Sequence, residues 1–304
     1  WPILAQVSYL CLFAFIPLGP SHWKDITASC GGENQSPINI DRRKTQRDKN
    51  LDEILFEGYD QAPPGRWRLL NDGHTGGGQR CSAWPLCPPP PALPFKFRAL
   101  QFHFHWGDLD RNGSEHMVDG RQYPMEMHLV HVNTKYKTTN EAKGHPNGLA
   151  VLSFLFKVSE TDNTNYNTII AGLKNISRAG SNDYVDLAST FSLRNLLPSM
   201  ASLSKYYRYK GSLTTPSCEE VVVWTVFEEE VPISKQQVRR EQQICNLPQR
   251  PLKMANNFRP PQPLNRRKVY ASRDATLSCS SSLASHLLLP LLWAFLVGHF
   301  SGPS

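Results

Sequence analysis

Two short stretches of this chain carry residues that could do chemistry together. The first is Gln101-Phe102-His103-Phe104-His105-Trp106. On a strand, alternate residues share a face, so Gln101, His103 and His105 point one way and the aromatic residues the other. Two such imidazoles can chelate one metal ion, although His-x-His alone describes surface or core histidines equally well. The second stretch, Met125-Glu126-Met127-His128-Leu129-Val130-His131, puts Glu126, His128 and Val130 on one face. Three neutral histidines would leave zinc its full charge and an open fourth position for water. An amide or carboxylate two residues before a ligand can accept the other ring N–H and set the tautomer. Gln101 can do this for His103, and Glu126 for His128. Gly113-Ser114-Glu115-His116 and Gly211-Ser212-Leu213-Thr214-Thr215-Pro216 add a carboxylate and a threonine hydroxyl. If Glu115 accepts from Thr214, the threonine oxygen must itself accept from a metal-bound hydroxide and so orients it. Otherwise Thr214 to Pro216 is a turn and Glu115 a surface acid. His131 falls on the opposite face from His128 and cannot join the site. His116, His131 and His145 read as structural or solvent-facing, and His22, His286 and His299 carry no argument.

The elements that must position these residues are strands. Apolar patterns mark Leu100 to Trp106, Glu126 to Val132, Leu149 to Val158 and Val221 to Phe227. Helical patterns are sparse, the best being Asn165–Leu173 and Ser192–Leu196. Few helices are left to cover a parallel sheet. The expected fold is mainly β (α+β): a single domain on a large, twisted, mostly antiparallel sheet with a few short surface helices. Residues 75–94 do not fit, because a triple glycine and four consecutive prolines exclude a central strand. That segment reads as a loop, a polyproline stretch or a product of faulty gene prediction.

The chain has 304 residues, 40% hydrophobic and 19% charged, which excludes wholesale disorder. Its net charge of +7 is spread over scattered basic residues, so no nucleic-acid partner is expected. Residues 1–20 resemble the apolar region of a secretory signal. Residues 273–304 combine small residues, a polar spacer and an apolar run at 287–297, the pattern of a glycolipid (GPI) anchor signal. The domain between them spans 21–272. Of seven cysteines, Cys11 and Cys279 lie in the removable ends; Cys30, Cys81, Cys87, Cys218 and Cys245 then allow at most two bridges. Glycosylation sequons stand at Asn34, Asn112 and Asn175; the last is the best candidate, since Pro37 hinders the first and the second lies beside the candidate site.

These pieces, in order, resemble an α-class carbonic anhydrase, and are most similar to its membrane-anchored isoforms IV and XV. The resemblance runs from about residue 22 to 272. It rests on Gln35 to Ile40, Asn71-Asp72-Gly73-His74, the runs containing His103, Glu115 and His128, the Gly148–Val158 run, Tyr209 to Pro216, Val223-Trp224-Thr225, and Asn257-Phe258-Arg259-Pro260. It implies zinc held by His103, His105 and His128, with Gln101, Glu126 and the backbone carbonyl of Asn257 as their partners. It implies Thr214 and Glu115 as the hydroxide-orienting pair, with Thr215 beside the site. Val130, Val151, Leu213 and Trp224 would form the apolar pocket for carbon dioxide, and His74 would be the proton shuttle. It further implies a Cys30–Cys218 bridge, whose long loop would make it worth ~4–5 kcal/mol in the entropic model.

The implied reaction is reversible hydration of carbon dioxide to bicarbonate and a proton, by attack of zinc-bound hydroxide. Zinc brings the pKa of its water to ~7, a value known from the carbonic anhydrases themselves. Sulfonamides and anions would inhibit at the metal. The implied location is the extracellular face of the plasma membrane, held by the lipid anchor. The competing class is a non-catalytic cell-surface binding module or the product of a defective gene copy. Three departures from the family stand out. The usual N-terminal aromatic segment is replaced by the apolar run. The strand after the shuttle histidine is replaced by the Pro-rich segment. Residues 239–253, with Cys245, match poorly.

Overall fold

The computed structural model describes residues 19–63, 65–71, 76–80, 86–87, 96–108, 111–173, 184–241 and 256–278. One large mixed sheet dominates. Its strand order is Tyr184–Asp186, Trp67–Asn71, Gly76–Arg80, Phe97–Trp106, Met125–Asn133, Leu149–Ser159, Val222–Phe227, Tyr206–Gly211, Tyr270–Ala271 and Gln46–Arg47. Most neighbours are antiparallel, as expected. Leu149–Ser159 against Val222–Phe227, and Tyr270–Ala271 against Gln46–Arg47, are parallel. The predicted helices form as a helix at Asn167–Leu173 and a 3-10 turn at Leu193–Leu196. None of the described helices is long and apolar enough to cross a membrane.

The aromatic face of the first motif is the reason the sheet is anchored. Phe102, Phe104 and Trp106 are fully buried with Met125, Met127, Leu129, Leu152 and Phe154 in the larger core cluster. The opposite face carries Val130, Val151, Tyr209 and Trp224 in a second cluster. The Met125–Asn133 strand is buried at every position, so its polar residues lie inside the protein. Inter-strand register sets His103 directly opposite His128, with a bulge between Ala99 and Gln101 upstream of the motif. A slip of one residue would send every imidazole into the apolar core.

One expectation is overturned. The glycine triplet does form a strand, and an internal one: Gly76–Arg80 pairs with Trp67–Asn71 on one side and with Phe97–Trp106 on the other. Gly77 sits opposite His103. Glycine retains both ladder groups and tolerates extended backbone, so it weakens a strand without forbidding one. Proline would forbid it, but the proline run begins only after Leu86–Cys87. A strand therefore does follow His74 in the sequence. Residues 88–95, Asp72, His74, Cys81, Asn175 and Cys245 lie outside the described residues.

His131 is structural, as its strand face requires. Its ring receives the Tyr59 hydroxyl at Nε2, donates from Nδ1 to the Leu129 carbonyl at 3.0 Å, and is buried. Burial lowers its pKa from 6.5 to about 4. Between pH 6.5 and 4 the unfolded chain binds a proton that the folded chain refuses. Stability contributed by the neutral ring is therefore intact above 6.5 and falls by up to about 3 kcal/mol as pH drops through this window. We expect the His131→Gln variant, although less stable at pH 7, to lose less stability between pH 7 and 4.5 than the parent protein. Urea unfolding at the two pH values checks this; equal losses would refute it.

Candidate metal centre

The three imidazoles converge. His105 Nε2 lies 3.1 Å from His128 Nδ1, and His128 Nδ1 lies 3.3 Å from His103 Nε2. These contacts are not hydrogen bonds, because each ring already spends its N–H outward. His103 Nδ1 donates to Gln101 Oε1 at 2.8 Å, His105 Nδ1 to the Asn257 carbonyl at 2.7 Å, and His128 Nε2 to Glu126 Oε1 at 2.6 Å. Each inward nitrogen is left with a lone pair facing its neighbours. Burial, followed by the neighbouring imidazoles, holds His103 well below the usual histidine range, and burial lowers His128 too. His103 and His128 are thus held as neutral ligands, and His105, its Nδ1–H spent on the Asn257 carbonyl, turns Nε2 to the same point.

Corners of a tetrahedron with zinc–nitrogen bonds of 2.0–2.1 Å are about 3.3–3.4 Å apart. The observed spacings sit close to that value. A three-imidazole set with an open side suits zinc. A second fact points to a cation: Glu115 Oε2 is buried, has no hydrogen-bond donor, and lies 3.5 Å from His105 Nε2 and 3.9 Å from His128 Nδ1. Lone pairs and a carboxylate oxygen turned on one spot repel one another until a positive charge occupies it. The residues present therefore fit the metal.

Glu126 is the hub behind the ligands. Its Oε1 accepts from His128, from His116 Nδ1 at 2.6 Å and from the Ser153 hydroxyl at 2.6 Å. Its Oε2 accepts the backbone N–H groups of Glu115 and His116, both at 2.7 Å. Burial alone would raise its pKa, yet His116 and His128 hold it well below the usual carboxylate range. His116 and Ser153 are functional supports that the strand pattern did not single out. Ser153 could have been found by register, since it lies opposite His128.

Glu115 Oε1 accepts the Arg259 backbone N–H at 2.8 Å. Burial pushes Glu115 up to about 7, against the pull of His128, the Arg259 N–H and the Thr214 hydroxyl. The Thr214 hydroxyl therefore lies near enough to Glu115 to lower its pKa, which is the neighbourhood the expected pairing needs. Asn257 does more than offer its carbonyl. Its side chain accepts from the Trp106 N–H at 2.8 Å and donates to the Phe104 carbonyl at 3.1 Å, locking the segment to the ligand strand.

The loop bearing Leu213, Thr214 and Thr215 is pinned at several points. Ser212 N–H donates to Ser36 Oγ, Leu213 N–H to the Glu219 carbonyl, and Cys218 N–H to the Thr215 carbonyl at 2.8 Å. Trp224 Nε1 donates to the Ser212 carbonyl, and its ring packs 4.8 Å from that of His128. Val130, Val151, Trp224 and Leu213 belong to one apolar cluster beside the imidazoles. Cys30 and Cys218 are disulfide-bonded, with Cα atoms 4.9 Å apart, tying the N-terminal loop to the Thr214 loop.

Residues 18–273 match the eukaryotic-type carbonic anhydrase family. Among individual proteins, the chain is 47% identical to mouse (Mus musculus) carbonic anhydrase 15 over 292 residues, covering 92% of this chain and 86% of that protein. It is 34% identical to rat (Rattus norvegicus) carbonic anhydrase 4, covering 90% and 85% of the two chains. It is 37% identical to mouse carbonic anhydrase 6, covering 84% and 78%.

The bridge closes a loop across a sequence separation of 188 residues. Replacing both cysteines with serine should lower unfolding free energy by about 2–5 kcal/mol. Denaturant melts of the parent and the double variant measure this, and a loss within error would refute it.

Proposed function

We propose a residue-by-residue division of labour for a chain that belongs to the eukaryotic-type carbonic anhydrase family and hydrates carbon dioxide reversibly to bicarbonate with zinc. His103, His105 and His128 hold the metal, and Gln101, Glu126 and the Asn257 carbonyl fix their tautomers. When bound, zinc supplies the Lewis acidity that makes hydroxide available from water near neutral pH, as is established for this family. The single observation that carries the reading is the convergence of three ring nitrogens, each ring backed by its own acceptor.

The chain's own groups do the rest. Thr214 donates a hydrogen bond to Glu115, so towards the nucleophile its oxygen can only accept one; that one-way bond selects the orientation of the nucleophile. Glu115 must be ionised for that donation, and a cation among the imidazoles pulls its raised pKa back down. Val130, Val151, Leu213 and Trp224 offer carbon dioxide an apolar wall free of competing hydrogen bonds, with Thr215 at its edge. His74 carries the departing proton to solvent, because an unperturbed imidazole titrates near neutral pH. Sulfonamides and anions inhibit at the same metal. The domain spans 21–272, and residues 1–20 and 273–304 act as an export signal and a GPI-anchor signal. They would leave the enzyme glycosylated on the extracellular face of the plasma membrane.

Stopped-flow carbon dioxide hydration with zinc analysis on the same sample tests the assignment. Parent protein should hold about one zinc, and His103→Ala should lose both metal and activity. Thr214→Ala should keep its zinc and lose about 100-fold in kcat/KM. Zinc-free parent protein, or an active His103→Ala, would sink the ligand assignment.

For His74, the expected signature is a split. His74→Ala should lower kcat about ten- to hundredfold in weak buffer, leave kcat/KM unchanged, and recover when imidazole is added. A variant indifferent to imidazole would remove His74 from the proton path.

A further inference from the structure

A second concavity shares no residue with the three imidazoles, Glu115 or the Thr214 loop. It lies beside the Tyr206–Gly211 strand and has a volume of about 420 Å³, within the range of ligand sites. Arg208 and Lys210 meet Arg267 and Lys268 there, with Asp48 the one acid in the lining. The two basic pairs are far apart in sequence, which is why no basic run was visible.

The charges are fixed rather than merely nearby. The Arg267 guanidinium donates to three backbone carbonyls, those of Pro263 at 2.8 Å, Leu264 at 3.1 Å and Lys210 at 3.2 Å. Its face lies 5.6 Å from the Tyr209 ring. Carbonyls orient the cation without neutralising it, Glu220 acts on it through space only, and burial lowers its pKa. Arg208 is buried, donates to Thr225 Oγ1 at 3.1 and 3.2 Å, and lies over the Tyr206 ring. Lys210 and Lys268 are exposed and form no ion pair among the described residues. The described lining thus holds four basic residues against one acid, an excess that raises the local potential for an anion. Tyr270, 37% exposed, adds an aromatic surface to the lining.

A single small anion would meet only part of this charge. A flat bilayer cannot enter a hollow to reach a buried arginine. A flexible chain with several permanent negative groups and a ring to lay against tyrosine satisfies both constraints. We propose that this groove binds a sulfated oligosaccharide; the choice of sulfate rests on the extracellular reading above, while the binding itself does not.

The test uses the purified zinc protein and a heparin-derived octasaccharide at 150 mM salt, followed by calorimetry. The parent should bind, and Lys210→Glu/Lys268→Glu should weaken binding at least tenfold with unchanged zinc content and carbon dioxide hydration. A charge-matched control away from the groove, Lys135→Glu/Lys137→Glu, should change affinity less than threefold. No binding by the parent overturns the proposal. So does an equal loss in the control, which would make net charge the cause. Binding to phosphatidylserine vesicles without binding to the octasaccharide also overturns it. Loss of hydration activity in the parent would instead bear on the metal centre.

Discussion

The structure is organised around an electrostatic conflict. Three imidazole lone pairs and one carboxylate oxygen are aimed at a single point in a buried region. No donor among the described residues reaches Glu115 Oε2 there; a divalent cation resolves the conflict. Each ring must therefore be held against its own tendency to rotate away, and each is held by a different kind of acceptor: a side-chain amide, a backbone carbonyl and a carboxylate. The metal site is as much a property of those acceptors as of the ligands.

The acceptors are themselves braced, and Glu126 shows how. Five donors converge on its two oxygens, including the backbone of residues 115 and 116. The same carboxylate that orients His128 thus also places Glu115. From His116 the contacts continue to the Tyr209 hydroxyl, which donates to Ser36 Oγ, which in turn accepts from Ser212 N–H beside the Thr214 loop. Ligand orientation and the position of the threonine are parts of one hydrogen-bonded body. A half-satisfied network of this kind would be costly to bury, and this one is satisfied at nearly every atom. The exception in this network, Glu115 Oε2, is the atom turned towards the point where the imidazoles converge.

The sheet supplies rigidity and separates functions by face. Alternation puts the phenylalanines flanking the histidines into the larger core, so the packing that stabilises the strand also aims its imidazoles. The glycine-rich strand next to it contributes backbone pairing on both sides. Its glycines lose more entropy on ordering than other residues would, and the two-sided ladder compensates.

The sequence by itself determined which atoms could do the chemistry. Period-two spacing was enough to put Gln101, His103 and His105 on one face, to place His128 with Glu126, and to exclude His131, because alternation is a local property of extended backbone. The family-like order of motifs carried the rest, including Thr214 with Glu115 and the Cys30–Cys218 pair. Only tertiary structure decided which groups support them. His116 and Ser153 reach Glu126 by register and loop packing, and the side chain of Asn257 crosses more than 150 positions to meet Phe104 and Trp106. The glycine triplet was misread because composition reports a strand's intrinsic weakness and says nothing of the neighbours that pair with it. The basic groove escaped notice for the same reason: its charges come from two distant segments, and proximity across a sheet leaves no mark on local composition.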